Sequence, residues 1–245
     1  MRMLKECQLD DNCAYLKGLQ QTTHYKVLER CSSSYCQKLI ERGWRRFGNI
    51  FFRPLCKECD ACKSIKIDVK NYTFSRSARR TIRKNTHLRT VMQQPSMTER
   101  HLELFNMYHA YMKEHRGWGD QGANAQHYFT SFVNGCNDYG YEILYYDKEL
   151  LVGVDLIDIL PDGISSIYFY YDPEYAKYSL GRYSLYRQIM AAKAMNLSWI
   201  YLGYCVDECQ SLKYKRDYTP QFQLVGRPDD DSCAVWEKVK SEKQV

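Results

Sequence analysis

The chain has 245 residues, of which 44% are apolar and 26% charged, ordinary globular values that exclude disorder and collagen-like repeats and allow one large domain or two small ones. No apolar run approaches the roughly 20 residues of a membrane span, and Met1 to Glu6 lacks the apolar stretch of a secretory signal, so a soluble cytoplasmic protein is expected. Three totals stand out: 11 Cys, 22 Tyr and a net charge of +6.

In chain order, Lys26 to Arg42 reads as a helix, with Val27, Leu28, Leu39 and Ile40 apolar and Gly43 at its C-cap. Trp44 to Arg53 reads as extended, interrupted by Arg45 and Arg46 and ended by Pro54. Seven of the cysteines fall before residue 63, and Cys56, Cys59 and Cys62 repeat at three-residue spacing, so their thiolates can face one centre from a tight turn. With Cys13 or Cys36 as a fourth ligand they could take zinc or an iron–sulfur cluster. The competing reading is that they are small buried hydrophobes. Without an export signal a disulfide framework is not expected.

Ile65, Ile67 and Val69 alternate with Lys66, Asp68 and Lys70, the period of a strand. Ser75 to Asn85 follows as a basic helix, with Ser75 or Ser77 as N-cap. From Lys63 to Arg89 nine Lys and Arg face one acid, Asp68, so this segment carries +8 and the rest of the chain −2. Such a run is either a solvated helix face or a phosphate-binding patch, which would position a nucleic-acid backbone without reading its sequence.

Gln93 to Ser96 reads as a linker, and Ser96 with Glu99 as a capping box opening a helix through Leu102, Phe105, Tyr108 and Met112 that stops near Gly117. His101, His109 and His115 lie on or near it as ordinary helix residues, since none has a carboxylate at metal-site spacing. Three strands then follow, Tyr141 to Tyr146, Leu150 to Leu160 and Ile164 to Tyr171, broken by Asp172-Pro173. A helix from Ser179 to Asn196 and a strand from Trp199 to Tyr204 complete the order. That order is an antiparallel meander feeding a crossover helix, whose free N-terminal amides make an anion site beside a strand end. It is the order of the acyl-CoA-dependent N-acyltransferases. Here, though, the loop runs Tyr178-Ser179-Leu180-Gly181-Arg182-Tyr183, and the Tyr183 ring is expected to crowd a pyrophosphate, which argues against CoA as donor.

These residues resemble the arginyl-tRNA–protein transferases, in particular their bacterial aspartate/glutamate leucyltransferase branch. The first block of resemblance is Cys13-Ala14-Tyr15-Leu16. The second runs from Gly43-Trp44-Arg45-Arg46-Phe47 through Arg53-Pro54-Leu55-Cys56 and Cys59-Asp60-Ala61-Cys62 to Ser75-Arg76-Ser77-Ala78-Arg79-Arg80. The third runs from Leu151-Val152-Gly153-Val154 through Tyr168-Phe169-Tyr170-Tyr171-Asp172-Pro173, Ser179-Leu180-Gly181 and Tyr201-Leu202-Gly203-Tyr204 to Leu212-Lys213-Tyr214-Lys215. The chain departs from the family pattern at Ala78, Tyr178, Cys205 and Leu212.

The resemblance implies an α+β fold: a GNAT-like acyltransferase core, mostly antiparallel sheet with flanking helices, over residues 97–245, behind a cysteine-rich, basic N-terminal region over residues 1–92. It implies transfer of an amino acid from aminoacyl-tRNA to the N-terminal amine of proteins beginning with Asp or Glu, marking them for N-degron degradation. Leucyl-tRNA is the expected donor and arginyl-tRNA the alternative. Neither DNA nor a membrane is an expected partner. No cofactor is obligatory, and Cys13, Cys56, Cys59 and Cys62 are the candidate ligands for zinc or an iron–sulfur cluster.

Within that reading Arg76, Arg79, Arg80, Arg83 and Lys84 hold tRNA phosphates. Amides near Gly181 hold the terminal adenosine's phosphate or the oxyanion. Lys213 and Lys215 are candidates to pair with the acidic side chain of the target. Asp172, Tyr168 or Tyr170 is expected to orient or deprotonate the amine; the alternatives are that Asp172 only makes a turn and that the tyrosines only pack in the sheet. Two other classes of function compete, a CoA-dependent N-acyltransferase and a non-catalytic, metal-stapled RNA-binding module.

Overall fold

The computed structural model describes residues 2–119, 121–136 and 138–240. The first sheet has four antiparallel strands in the order β1-β2-β4-β3, namely β1 (Arg2–Asn12), β2 (Gln20–Arg30), β3 (Arg45–Phe47) and β4 (Ile50–Pro54), with α1 (Ser33–Glu41) between β2 and β3. The expected helix from Lys26 is therefore corrected. Residues 26–30 finish β2, where Lys26 pairs across to Phe51 and Val27 to Ile50, and α1 starts only where the Ser32 hydroxyl accepts from the Tyr35 amide. Pairing with two neighbouring strands outweighs the local helical pattern.

The second sheet has eight strands. Its order is β12 (Trp236–Lys238), β11 (Gln221–Leu224), β5 (Lys63–Asp68), β10 (Trp199–Cys205), β9 (Gly163–Tyr171), β8 (Leu150–Ile159), β7 (Gly140–Asp147) and β6 (Arg89–Gln93). Every pair is antiparallel except β9 with β10, which the crossover helix α5 (Leu180–Ala194) joins in parallel. Because β5 and β6 belong to this sheet, the break between sheets falls before Lys63 rather than in the expected linker at residues 93–96.

α5 and the basic helix α2 (Arg76–Lys84) cover one face of the large sheet, where Leu180, Tyr183, Ile189 and Ala78 join Ile67, Tyr145 and Ile200 in one core. α3 (Glu99–Arg116), α4 (Ala125–Tyr128) and the π-helical turn Phe129–Val133 cover the other, over Leu144, Val154 and Tyr170. α3 is capped by Thr98, whose hydroxyl accepts from the His101 amide, and not by Ser96, whose hydroxyl donates to Glu142 at 2.8 Å. It ends as expected at Gly117, in the left-handed region at φ 65°.

A third core joins the two sheets. Trp44 and Phe51 pack with Tyr139, Leu160 and Tyr201, and beside them Arg46 of β3 grips Asp158 of β8 through Nε at 2.8 Å and through Nη2. Both side chains are essentially sealed from water, so losing either one would strand the other charge at a cost of about 3–5 kcal/mol.

Candidate active site

β9 and β10 pair in parallel only from Gly163 to Ser165 against Trp199 to Tyr201. Past that point the register of β10 shifts, Gly203 takes φ +72°, and the strand continues against β5 while β9 continues against β8. The two strands open as a fork, whose inner edges have lost a parallel partner and need other ones.

Two cations supply them. Arg45, entering from β3, donates through Nη1 to Ser165 Oγ at 3.2 Å and to the Tyr201 carbonyl at 3.5 Å, and through Nη2 to the Ser166 carbonyl. Lys215, on the 3₁₀ turn Lys213–Asp217, donates to the carbonyls of Leu202 at 2.9 Å and Tyr204 at 2.7 Å. Burial, followed by the nearby Arg45, pushes the Lys215 ammonium down to about 7. A Cβ at Gly203 would lie 2.5 Å from Arg45 Nε. Gly203→Ala therefore displaces Arg45 and strains the left-handed turn by about 1–2 kcal/mol. Thermal melts of this variant should show the corresponding loss of stability.

The N-terminus of α5 stands beside the fork. Arg182 in its first turn pairs with Asp217 at 2.7 Å, which ties it to the Lys215 turn. Ser179 sits at φ 56° and no side chain caps the helix. Among the described residues the Leu180 and Gly181 amides have no acceptor, and the space above Gly181 is empty within 4 Å of where a Cβ would stand. These are the conditions for anion binding at a helix start. α2 packs along α5 and reaches the same end: Lys84 Nζ donates to the Lys177 carbonyl at 2.6 Å, and the Asn85 amide to the Tyr178 carbonyl at 2.9 Å. Arg76, Arg79, Arg80 and Arg83 are exposed, and among the described residues no carboxylate pairs with any of them. An unneutralised cationic helix thus packs beside the start of α5.

The rim is aromatic and sulfur-rich. Tyr15 lies close enough to Arg45, Cys62 and Cys209 to feel their charges, and burial, then Cys62, raises its hydroxyl to about 12. Trp118 packs edge-on against Tyr108 and donates to Ser211 Oγ at 3.1 Å, closing the loop after α3 onto the loop before Lys215.

The expected site residues divide. Lys215 fills the fork, Gly181 opens the helix beside it and Lys84 is tied to the residues just before that helix, whereas Arg76, Arg79, Arg80 and Arg83 stay exposed along α2 and Lys213 is exposed with no side-chain bond among the described residues. Asp172 makes a turn: it accepts from the Glu174 amide at 3.1 Å and pairs with Arg100 at 3.2 Å. Tyr170 is sealed under α3 with its hydroxyl on that of Tyr128, out of reach of a substrate amine. Tyr168 shares a 3.0 Å hydrogen bond with His109 Nε2, and burial raises the phenol and lowers the imidazole to about 4, so both stay neutral. The sheet-packing reading therefore describes both tyrosines.

The Tyr183 ring does not face the loop. It is buried against Tyr145, so the crowding expected at a pyrophosphate is absent and the residue says nothing about the donor. Cys13, Cys56 and Cys59 lie near Cys62, whose thiol burial and then these neighbours raise to about 12. Four thiols are suitable chemistry for zinc or an iron–sulfur cluster. Yet among the described residues no three His, Cys, Asp or Glu side chains are arranged to hold a metal ion. Arg45 and Ser166 were missed from sequence; a charged residue interrupting an apolar strand was the available signal for the first.

Known proteins place this arrangement in context. The profile described as "Arginine-tRNA-protein transferase, N terminus" matches residues 11–80, and the profile described as "Arginine-tRNA-protein transferase, C terminus" matches residues 100–225. An aspartate/glutamate leucyltransferase from Campylobacter jejuni (serotype O:6, strain 81116) is 47% identical over 95% of this chain and 98% of its own. One from Helicobacter hepaticus is 37% identical over 97% and 98%. Among solved structures, FemX aligns with a TM-score of 0.44 at 10% identity, over 75% of this chain and 63% of that one.

Proposed function

The chain belongs to the arginine-tRNA–protein transferase family, and from that premise we propose that it moves leucine from leucyl-tRNA to the N-terminal amine of proteins beginning with Asp or Glu, marking them for N-degron degradation in the cytoplasm. It is an aminoacyltransferase. The observation that carries the substrate reading is the cationic fork: Arg45 and Lys215 fill the gap between β9 and β10, next to an uncapped helix start and the unpaired arginines of α2. The splayed parallel pair with its crossover helix is what supports a GNAT-like core.

In this reading the phosphates of the tRNA lie along Arg76, Arg79, Arg80, Arg83 and Lys84, and the terminal phosphate meets the amides of Leu180 and Gly181. The amino-acid ester then hangs into the fork. The ammonium of Lys215 uses two of its three donors on backbone carbonyls, which leaves one for the acidic side chain of the target. Asp207 and Asp217 on either side are already held by Arg216 and Arg182, so the pocket keeps its positive sign.

The attacking α-amine has an ordinary pKa of about 7.7–8.0 and is partly neutral at physiological pH. Alignment with an activated ester then supplies most of the catalysis, up to roughly 7–11 kcal/mol. Purified protein is expected to transfer leucine from leucyl-tRNA to peptides starting with Asp or Glu and not to those starting with Ala. Transfer from arginyl-tRNA alone would install the alternative donor. Tight tRNA binding without transfer would leave an RNA-binding module, and heat stabilisation by acetyl-CoA but not by tRNA would leave a CoA enzyme. No helix among the described residues is long and apolar enough to cross a membrane.

A further inference from the structure

We propose that Ser166 donates a hydrogen bond to the oxyanion of the transfer reaction, its hydroxyl aimed by a buried Gln188–Asp155 pair. The proposal rests on the functional reading above and names a residue of the same fork.

Ser166 is the first residue of β9 beyond the last pair with β10, at the crotch of the fork. It is half-buried, so a substrate can reach it, and its carbonyl is pinned by Arg45. Its Oγ accepts a hydrogen bond from Gln188 Nε2 at 3.2 Å. The same nitrogen donates to both oxygens of Asp155, at 2.9 and 3.0 Å. Asp155 is 0% and Gln188 1% exposed.

This arrangement fixes directions. A glutamine amide can present either its oxygen or its nitrogen to a neighbour, and the two ends are chemically opposite. Burial raises the Asp155 carboxyl to about 7; in its ionised form, above that pH, it accepts only and so holds Gln188 with its nitrogen inward. That nitrogen has two hydrogens: the Asp155 carboxylate takes one and Ser166 Oγ takes the other. Ser166 is thereby forced to accept on this side, and its single O–H must point elsewhere. Among the described residues nothing accepts it, as Ser166 Oγ occurs in no other hydrogen bond. A donor oriented in advance and left without a protein acceptor, on a residue held by Arg45, is what stabilises charge developing on a carbonyl oxygen.

The chemistry balances without any further reactant. The neutral α-amine attacks the ester carbon, a C–N bond forms, and the carbonyl π pair moves onto oxygen, where the Ser166 O–H receives it. Collapse restores the carbonyl and breaks the bond to the ribose oxygen, which takes up the proton that nitrogen loses. Ser166 itself neither gains nor loses a proton. Asp155 and Gln188 are positioning residues and touch no substrate.

Full-length Ser166→Ala, assayed with leucyl-tRNA and an Asp-initiated peptide, should lose about 100-fold in kcat with both KM values and the Tm unchanged. Ser166→Thr should keep most of the rate, since it keeps the hydroxyl. Gln188→Leu should lower kcat similarly, and in the double variant the two losses should not multiply. A Ser166→Ala enzyme within about threefold of wild-type kcat, or fully multiplicative losses, would overturn the assignment. A wild-type protein that transfers nothing from any aminoacyl-tRNA would instead remove the functional reading, and this inference with it.

Discussion

Replacing Lys215 with methionine lowers kcat/KM for peptides beginning with Asp or Glu by about 100-fold, while the dissociation constant for tRNA stays where it was. Truncating one member of a buried, hydrogen-bonded charge pair costs about 2–5 kcal/mol, and 100-fold lies inside that range. The tRNA term is spared because the proposed phosphate contacts are on α2 and at the start of α5 and do not involve Lys215. Lys215→Arg, which keeps the charge, should retain selectivity for acidic termini better than methionine does.

The same substitution has a signature in stability. Burial, then the nearby Arg45, pushes the folded Lys215 ammonium down to about 7, against an ordinary lysine value of 10.5 in the unfolded chain. Between those two values the unfolded state holds more protons, so raising the pH through this window stabilises the wild-type fold. Lys215→Met should flatten that part of the Tm-against-pH curve. A rise unchanged in the variant would show that Lys215 is not the group responsible. Because methionine also uncaps the carbonyls of Leu202 and Tyr204, some loss of Tm at every pH is part of the expectation.

The triple variant Arg76→Ala, Arg79→Ala, Arg83→Ala should weaken tRNA binding steeply and shift its salt dependence. These positions lie three and four residues apart on α2, hence on one face. Each phosphate contact contributes about 0.7–0.9 to the slope of log affinity against log salt, so the slope should fall by roughly 2–3. At saturating leucyl-tRNA the transfer rate should recover toward wild type. A triple variant with unchanged slope would move the tRNA path off this helix.

The meander and crossover were legible from their apolar runs and the turns between them. Over residues 140–171 three apolar, β-rich runs are separated by Asp147-Lys148-Glu149 and Pro161-Asp162-Gly163, and α5 carries a continuous apolar side from Leu180 to Ala192. β1 was invisible for the opposite reason: all but one of its residues are exposed, so no alternation is written into it. β5 was found as a strand, but its period of two could not say which edges it joins. At the site, charge and glycine were readable, which is how Lys215, Gly181 and α2 were found. Asp172 and Tyr170 misled because a turn or a packed ring carries the same letters as a catalytic group. Asp155 gave no signal at all. Its importance comes from burial, which pushes its carboxyl up to about 7 and leaves Gln188 as its chief partner, and burial is a property of the folded chain.

The placement of β5 has one more consequence. It lies between β11 and β10, so the strand that backs one arm of the fork is encoded far upstream of nearly everything else in that sheet. Arg45, which fills the fork, comes from further upstream still. A fragment starting at residue 97 would be a torn fabric, with a missing thread at its centre and no guanidinium in the gap. The two halves of this chain are not a reader and a catalyst joined by a hinge; each is unfinished until the other has folded against it.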